Sequence, residues 1–172
     1  MSGLVYNRHS GEQMLAMLYD VANLYSEIHS DMPEEQGGIF TRQSFLMRTA
    51  GQAQAAGFEL VTATSGDILV GFSFGHPFPA GGWWGDCTPA PQEILNASKF
   101  AVIELDVRKS YRRQGIAKAL LDMLLRDREE GFATLASTPG STANAMYKRW
   151  GWYKVGVFTD SMEALVLPMG KK

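Results

Sequence analysis

The chain has 172 residues, 45% of them hydrophobic and 20% charged, which is enough for one globular domain that buries about 70% of its unfolded surface. Its 16 Lys and Arg against 18 Asp and Glu give a net charge of -2, which excludes a general nucleic-acid or membrane-surface binder and makes any basic cluster local. A single cysteine, Cys87, leaves no internal disulfide framework, and no apolar run has the length of a signal peptide core or a membrane span, so the expectation is a cytoplasmic protein.

In chain order, "GLVYNRH" is short and β-prone. Met14, Leu18, Val21, Tyr25 and Ile28 then repeat at helical spacing behind Ser10, a plausible N-cap. The stretch "SDMPEEQGG" is a loop, and a second helix runs from a cap at Thr41 to a stop at Gly57. Two strands follow, joined at Ser65-Gly66-Asp67 in a hairpin pattern. Residues 76–98 are broken by prolines and paired glycines and read as a long irregular insert. A strand over 101–108, a helix over 115–130 and a strand over 132–138 make a βαβ unit, which calls for parallel strands and a right-handed crossover. A helix over "STANAMYKRW" and two final strands, "YKVGVFT" and "EALVLPM", complete the chain. The expected fold is α/β, with a mixed, mostly antiparallel sheet, a central βαβ unit and flanking helices. One domain over 1–172 is expected.

The stretch "VRKSYRRQGIAKALLDML" places Arg112, Arg113 and Lys118 around the start of the βαβ helix. The first turn of a helix offers unpaired N–H groups and a partial positive charge, which suits phosphate. Gly115 has no Cβ to hold a ligand off the backbone, and Ala117 is nearly as small. A diphosphate is a sensible occupant. The nucleoside-triphosphate P-loop pattern and Gly-x-Gly-x-x-Gly are both absent. The same residues also fit an exposed basic turn whose glycine serves packing, and spacing alone does not decide.

"LDVRKSYRRQGIAKALL" resembles the acyl-CoA-binding motif of the GCN5-related N-acetyltransferases, the GNAT family. Arg112, Gly115 and Ala117 fill the motif's Arg/Gln-x-x-Gly-x-Gly/Ala positions, and Leu105 and Val107 match the apolar pair that ends its strand. "NAMYKRWGWYKVG" looks like the family's second motif, with Asn144, Tyr147, Gly151 and Trp152 in place. The order of elements matches over nearly the whole chain. Two departures are Lys109, where a proline is usual, and the long insert.

The resemblance implies an acyl-CoA N-acyltransferase fold and acetyl-CoA as cosubstrate. It implies that the pyrophosphate lies on the backbone amides of Arg113, Gln114, Gly115, Ile116, Ala117 and Lys118. The pantetheine arm would pair with the backbone of Leu105, Asp106 and Val107, where the Val107 N–H polarises the thioester carbonyl. Asn144 would contact that arm, and Tyr147 would protonate the departing thiolate, with a half-buried helix aromatic as the alternative. A strand carboxylate can take the proton of the incoming amine. Glu104 and Asp106 share one face, and Glu104, further into the strand, is the preferred base; a structural contact or binding of a cationic substrate is the alternative. The acceptor is a primary amine of a small molecule or peptide, attacking directly in a ternary complex. The alternative is a non-catalytic acyl-CoA sensor or scaffold of the same fold. A homodimer is an open option, and neither nucleic acid nor membrane is expected as a partner.

In the insert, Trp83 and Trp84 read either as a flap that contacts the acceptor or as packing against the sheet edge. No three of His, Cys, Asp and Glu fall at metal-site spacing, so no metal is expected. Cys87 reads as inert, His76 as a base or, more commonly, a loop hydrogen bonder, His9 and His29 as surface residues, Tyr19 and Tyr25 as core or rim, and "RDREE" at 126–130 as a solvated helix end.

Overall fold

The first helix starts where its cap dictates. Ser10 accepts from the Gln13 N–H, and the Gln13 side chain reaches back to the Ser10 N–H, a capping box. The structure is a computed structural model that describes residues 3–170. The chain runs β1 (Leu4–His9), α1 (Gly11–Ala16), α2 (Leu18–Ser30), α3 (Arg42–Gln52), β2 (Glu59–Ser65), β3 (Ile68–Phe78), α4 (Gln92–Asn96), β4 (Lys99–Val107), α5 (Ile116–Leu125), β5 (Phe132–Ser137), α6 (Thr142–Arg149), β6 (Tyr153–Val157) and β7 (Glu163–Pro168), with 3₁₀ turns at Gly38–Phe40 and Lys109–Tyr111. The strands are ordered β1-β2-β3-β4-β5-β7-β6. Pairing is antiparallel for β1 with β2, β2 with β3, β5 with β7 and β6 with β7, and parallel for β4 with β5. The mixed, mostly antiparallel α/β sheet and its parallel β4–β5 pair agree with the sequence reading.

The described residues cluster into two compact units. The first runs to His76 and resumes over Glu104–Arg126. Its core is aromatic: Tyr25 stacks on Phe45, and Phe72 and Phe74 stack on each other with Phe45 edge-on to both. Each such ring contributes about 1.5–3 kcal/mol by leaving water. Gly11 is required by packing, since a Cβ there would lie 1.9 Å from the Ala53 carbonyl oxygen. α3 ends at Gln52 rather than at Gly57, with Ala53 as its C-cap. The single helix expected over 11–28 is divided at Met17, whose N–H is shared between the Gln13 and Met14 carbonyls.

The second unit holds Pro77–Ile103 and resumes at Asp127. Ala90, Ile94 and Val166 form a buried cluster with Trp83, Leu95, Phe132 and Val155 packed on it. Lys99 is fully buried, and its ammonium donates to the carbonyls of Ala97 (2.7 Å), Leu95 (2.9 Å) and Pro79 (3.4 Å). This cation closes the base of the insert without any carboxylate. The insert is shorter than expected: β3 extends to Phe78, and α4 occupies its far end. The βαβ helix is also shorter, because α5 stops at Leu125 and Asp127 turns left-handed (φ 63°). "RDREE" is therefore no solvated helix end. Arg128 lies over the Phe100 ring at 3.9 Å and pairs with the buried Glu130 at 2.8 Å.

Candidate active site

Two strand-to-strand hydrogen bonds fix the end of β4 in the first unit. Ser73 Oγ donates to the Glu104 carbonyl (2.7 Å), and the Arg108 N–H donates to the Val70 carbonyl (2.7 Å). Gly71 permits this closeness, since a Cβ there would stand 3.0 Å from the Asp106 carbonyl and 3.1 Å from Leu120. Arg112 Nε then donates to the Val107 carbonyl (3.1 Å), which ties the basic turn to the strand end.

The turn enters α5 through two left-handed residues, Arg113 (φ 64°) and Gly115 (φ 79°). Successive turns of this kind aim backbone N–H groups into one concavity, an anion nest. Gly115 is the N-cap of α5, no side chain caps that end, and nothing lies within 4 Å of where its Cβ would stand. The first backbone bond across this N-terminus is Ala119 N–H to the Gly115 carbonyl (3.1 Å). Arg112, Arg113 and Gln114 are exposed. Ile116 is 1% exposed, so its side chain anchors the helix and only its amide faces the turn. Lys118 pairs with Asp122 at 2.5 Å.

On β4, Glu104 and Asp106 share one face, and two side chains from other elements meet them, Arg48 and His29. Arg48 of α3 stands 3.5 Å from Glu104 and also donates to the Tyr25 hydroxyl (2.9 Å). His29 of α2 places Nε2 3.3 Å from Asp106, and its Nδ1 bonds Glu35. Burial and the neighbouring Asp106 carboxylate, which also hydrogen-bonds Glu104, push the Glu104 carboxyl well above its usual range, with Arg48 opposing. Burial alone would lower the His29 imidazole, but Asp106 and Glu35 more than reverse it, so it is raised. His29 is 8% exposed, which corrects its reading as a surface residue. It follows Tyr25 by one helical turn, on the apolar face, and that spacing was the signal to read. Tyr25 is buried in the core, whereas Tyr19 is 69% exposed. Glu35 and Arg48 carry no comparable sequence signal, because a loop and a separate helix bring them in.

In the second unit, Ser141 caps α6 by accepting from the Asn144 N–H (3.0 Å). The buried Asn144 side chain donates to Ser137 Oγ at the end of β5 (3.2 Å). Tyr147 is 8% exposed, edge-on to Trp150 and tilted on Trp152. The left-handed Gly151 (φ 95°) turns the chain between those two tryptophans.

The insert is pinned along the end of β6. Cys87 bridges Phe158, the Thr88 N–H donates to the Val157 carbonyl (3.0 Å), and the Thr159 N–H donates to the Asp86 carbonyl (2.9 Å). Trp83 Nε1 donates to the Thr88 carbonyl (3.1 Å). Trp84 Nε1 donates to Thr134 Oγ1 (3.0 Å), and its ring stands edge-on to Phe78 and Phe158. Both indole N–H groups are thus committed within the protein. Burial raises the Cys87 thiol, as suits an inert cysteine.

The sequence model of the acetyltransferase (GNAT) domain matches residues 56–154, more than half of the chain. The chain belongs to the GNAT acetyltransferase family. No curated protein matches the sequence significantly. Among solved structures it is similar to PH1933 from Pyrococcus horikoshii OT3, at TM-score 0.68 and 19% identity over 98% of this chain and 100% of that one. It is also similar to the PaiA N-acetyltransferase from Thermoplasma acidophilum in complex with coenzyme A, at TM-score 0.61 and 12% identity over 97% and 99% of the chains. A third likeness is to NAA60 of Arabidopsis thaliana in complex with a bisubstrate analogue, at TM-score 0.62 and 13% identity over 98% and 100%. At these identities the structural likeness establishes the fold, and the GNAT acetyltransferase assignment agrees with the resemblance read from the two motifs. No helix among the described residues is long and apolar enough to cross a membrane.

Proposed function

We propose that this GNAT acetyltransferase acts as a single N-acetyltransferase domain, moving the acetyl group of acetyl-CoA to a primary amine of a small molecule or peptide. The observation that carries this reading is the start of α5, where an uncapped first turn stands behind a left-handed glycine whose Cβ position is open. A CoA diphosphate is the anion that this family would seat there, on the amides from Arg113 to Lys118, beside Arg112. The pantetheine arm runs along Leu105 to Val107, Asn144 contacts it, and the Val107 N–H polarises the thioester carbonyl. The amine attacks that carbonyl directly. Glu104 takes the amine proton, directly or through water, and Tyr147 protonates the departing thiolate. A phenol, with an ordinary pKa of about 10, is a fitting donor to a thiolate.

Turnover followed as free CoA, with a panel of amines, tests the reading. Tyr147→Phe is expected to reduce kcat by about 10²- to 10⁴-fold, the usual cost of a lost general acid, with CoA affinity retained. A wild-type rate in that variant makes water the proton donor. Tight CoA binding with no turnover on any amine would instead support an acyl-CoA sensor.

Trp83 and Trp84 are proposed to contact the acceptor. Trp84→Ala removes two edge-on ring contacts and one indole hydrogen bond. It is expected to lower stability by about 2–4 kcal/mol in thermal unfolding. If the ring also faces the acceptor, the acceptor KM rises while the acetyl-CoA KM stays constant. A lower melting temperature with both KM values unchanged makes the insert packing alone.

A further inference from the structure

His29, Glu104 and Asp106 each offer a ligand atom, and these atoms all lie within 4.8 Å of one another. We propose that these three side chains form a binding site for a divalent first-row transition cation, with Zn²⁺ as the matching ion. The site is independent of the acetyl-transfer reading, because it rests on the donor set alone.

Three observations support it. The first is an orphaned oxygen. Asp106 Oδ2 is buried without a hydrogen-bond partner, on a residue 9% exposed, while His29 Nε2 faces the other oxygen of the same carboxyl. Such an atom ordinarily finds a partner, and a cation beside it supplies one. The second is spacing. His29 Nε2 and Asp106 Oδ1 are 3.3 Å apart, and ligands about 2.0–2.1 Å from a tetrahedral zinc are separated by roughly 3.3–3.4 Å. The third is orientation of the imidazole. Its ring lies between Tyr25, with centroids 4.1 Å apart, and Phe40, at 5.4 Å. Its Nδ1 is held by Glu35. Nδ1–H donating to a carboxylate leaves the Nε2 lone pair directed at the cluster, which is the usual support of a metal-bound histidine.

Charge and donor type set the ion. Glu35, Glu104 and Asp106 bring three carboxyl groups to the imidazole of His29, and the guanidinium of Arg48 stands 3.5 Å from one oxygen of Glu104. One imidazole with two carboxylates suits Zn²⁺, whereas Mg²⁺ and Ca²⁺ favour oxygen-only shells. Three protein ligands leave one tetrahedral position open. Because the site consumes Glu104, an occupied site has no free base on β4, and Zn²⁺ is expected to inhibit any reaction that Glu104 serves.

The test is isothermal titration of the chelator-treated full chain with ZnCl₂ and, separately, MgCl₂. The expected result is one equivalent of Zn²⁺ bound and no Mg²⁺ uptake. His29→Gln and Asp106→Asn each abolish the Zn²⁺ heat, and Glu35→Gln weakens affinity by about 10- to 100-fold, the usual cost of losing the group behind a ligand. Cys87→Ser and His9→Gln leave it unchanged. Absence of Zn²⁺ binding, or binding that survives His29→Gln or is lost in Cys87→Ser, overturns the site. Should the His29 variant fail to fold, Co²⁺ added to the wild-type chain decides: intense visible bands of a tetrahedral centre support the site, and their absence overturns it. A chain that binds Zn²⁺ here yet acetylates no amine would keep this inference and defeat the function proposed above.

Discussion

Glu104→Gln is expected to reduce kcat by about 10²- to 10⁴-fold, the range for loss of a general base. Only the ionised carboxylate takes a proton. Burial and Asp106 raise the Glu104 carboxyl, so the wild-type rate should climb with pH along an acid limb lying above the ordinary carboxylate range. In the variant that limb disappears, and the residual rate grows only as free amine becomes more abundant at alkaline pH. Stability moves the other way. A carboxyl raised in the folded state contributes stability in its protonated form, present at low pH and lost as pH rises through the raised value. A permanently neutral Gln escapes that loss. The melting temperature of the variant should therefore fall less between acidic and alkaline pH than that of the wild type. Arg48 keeps its bonds to the Tyr25 hydroxyl and the Ile39 carbonyl, so the fold retains its other contacts there. An unchanged kcat and an unchanged acid limb would make Glu104 a structural residue.

What was legible in the sequence is what the chain determines locally. Ser10, Thr41 and the Ser65-Gly66-Asp67 hairpin act within a few residues, and each does in the structure what its type suggests. The βαβ motif was readable for the same reason: strand, turn and helix start are contiguous, and Gly115 has the left-handed conformation that an αL position demands. Helix ends were less legible. α3 closes at Ala53, and α5 closes at an extended Arg126 followed by a left-handed Asp127, and neither end is visible in hydrophobic periodicity.

The cluster on β4 was half legible. Alternation put Glu104 and Asp106 on one face, but the chemistry of that face depends on α2, α3 and the loop between them. Histidine is commonly exposed, whereas the register of His29 with Tyr25 places it inside. The glycines and prolines of the insert suggest looseness, but β3 and α4 take up part of it. Lys99 and the strand-end hydrogen bonds of Thr88 hold it in place. Lysine at a strand start carries no sign that three carbonyls will surround it.

Gly115→Asp is expected to weaken CoA binding by about 100-fold or more in calorimetry. A unit charge about 4 Å from a phosphate charge is worth roughly 4 kcal/mol at the effective dielectric of a protein surface, and a diphosphate carries more than one such charge. Geometry does not confound the experiment. A Cβ at Gly115 meets nothing within 4 Å, and Asp and Asn both tolerate the left-handed conformation better than other side chains do. Gly115→Asn therefore serves as the neutral twin. It shares the backbone strain, expected to cost about 1 kcal/mol of stability, without the charge. The Asn variant should lose less than about tenfold in CoA affinity. The gap between the two variants should narrow as ionic strength rises, because this turn is exposed and its field is screened over about 10 Å at 0.1 M salt. Equal losses in both variants would show that backbone shape, not phosphate charge, governs the site. Unchanged CoA affinity in Gly115→Asp would remove the diphosphate from the start of α5 altogether, and with it the assignment of Arg112 through Lys118 as the cradle.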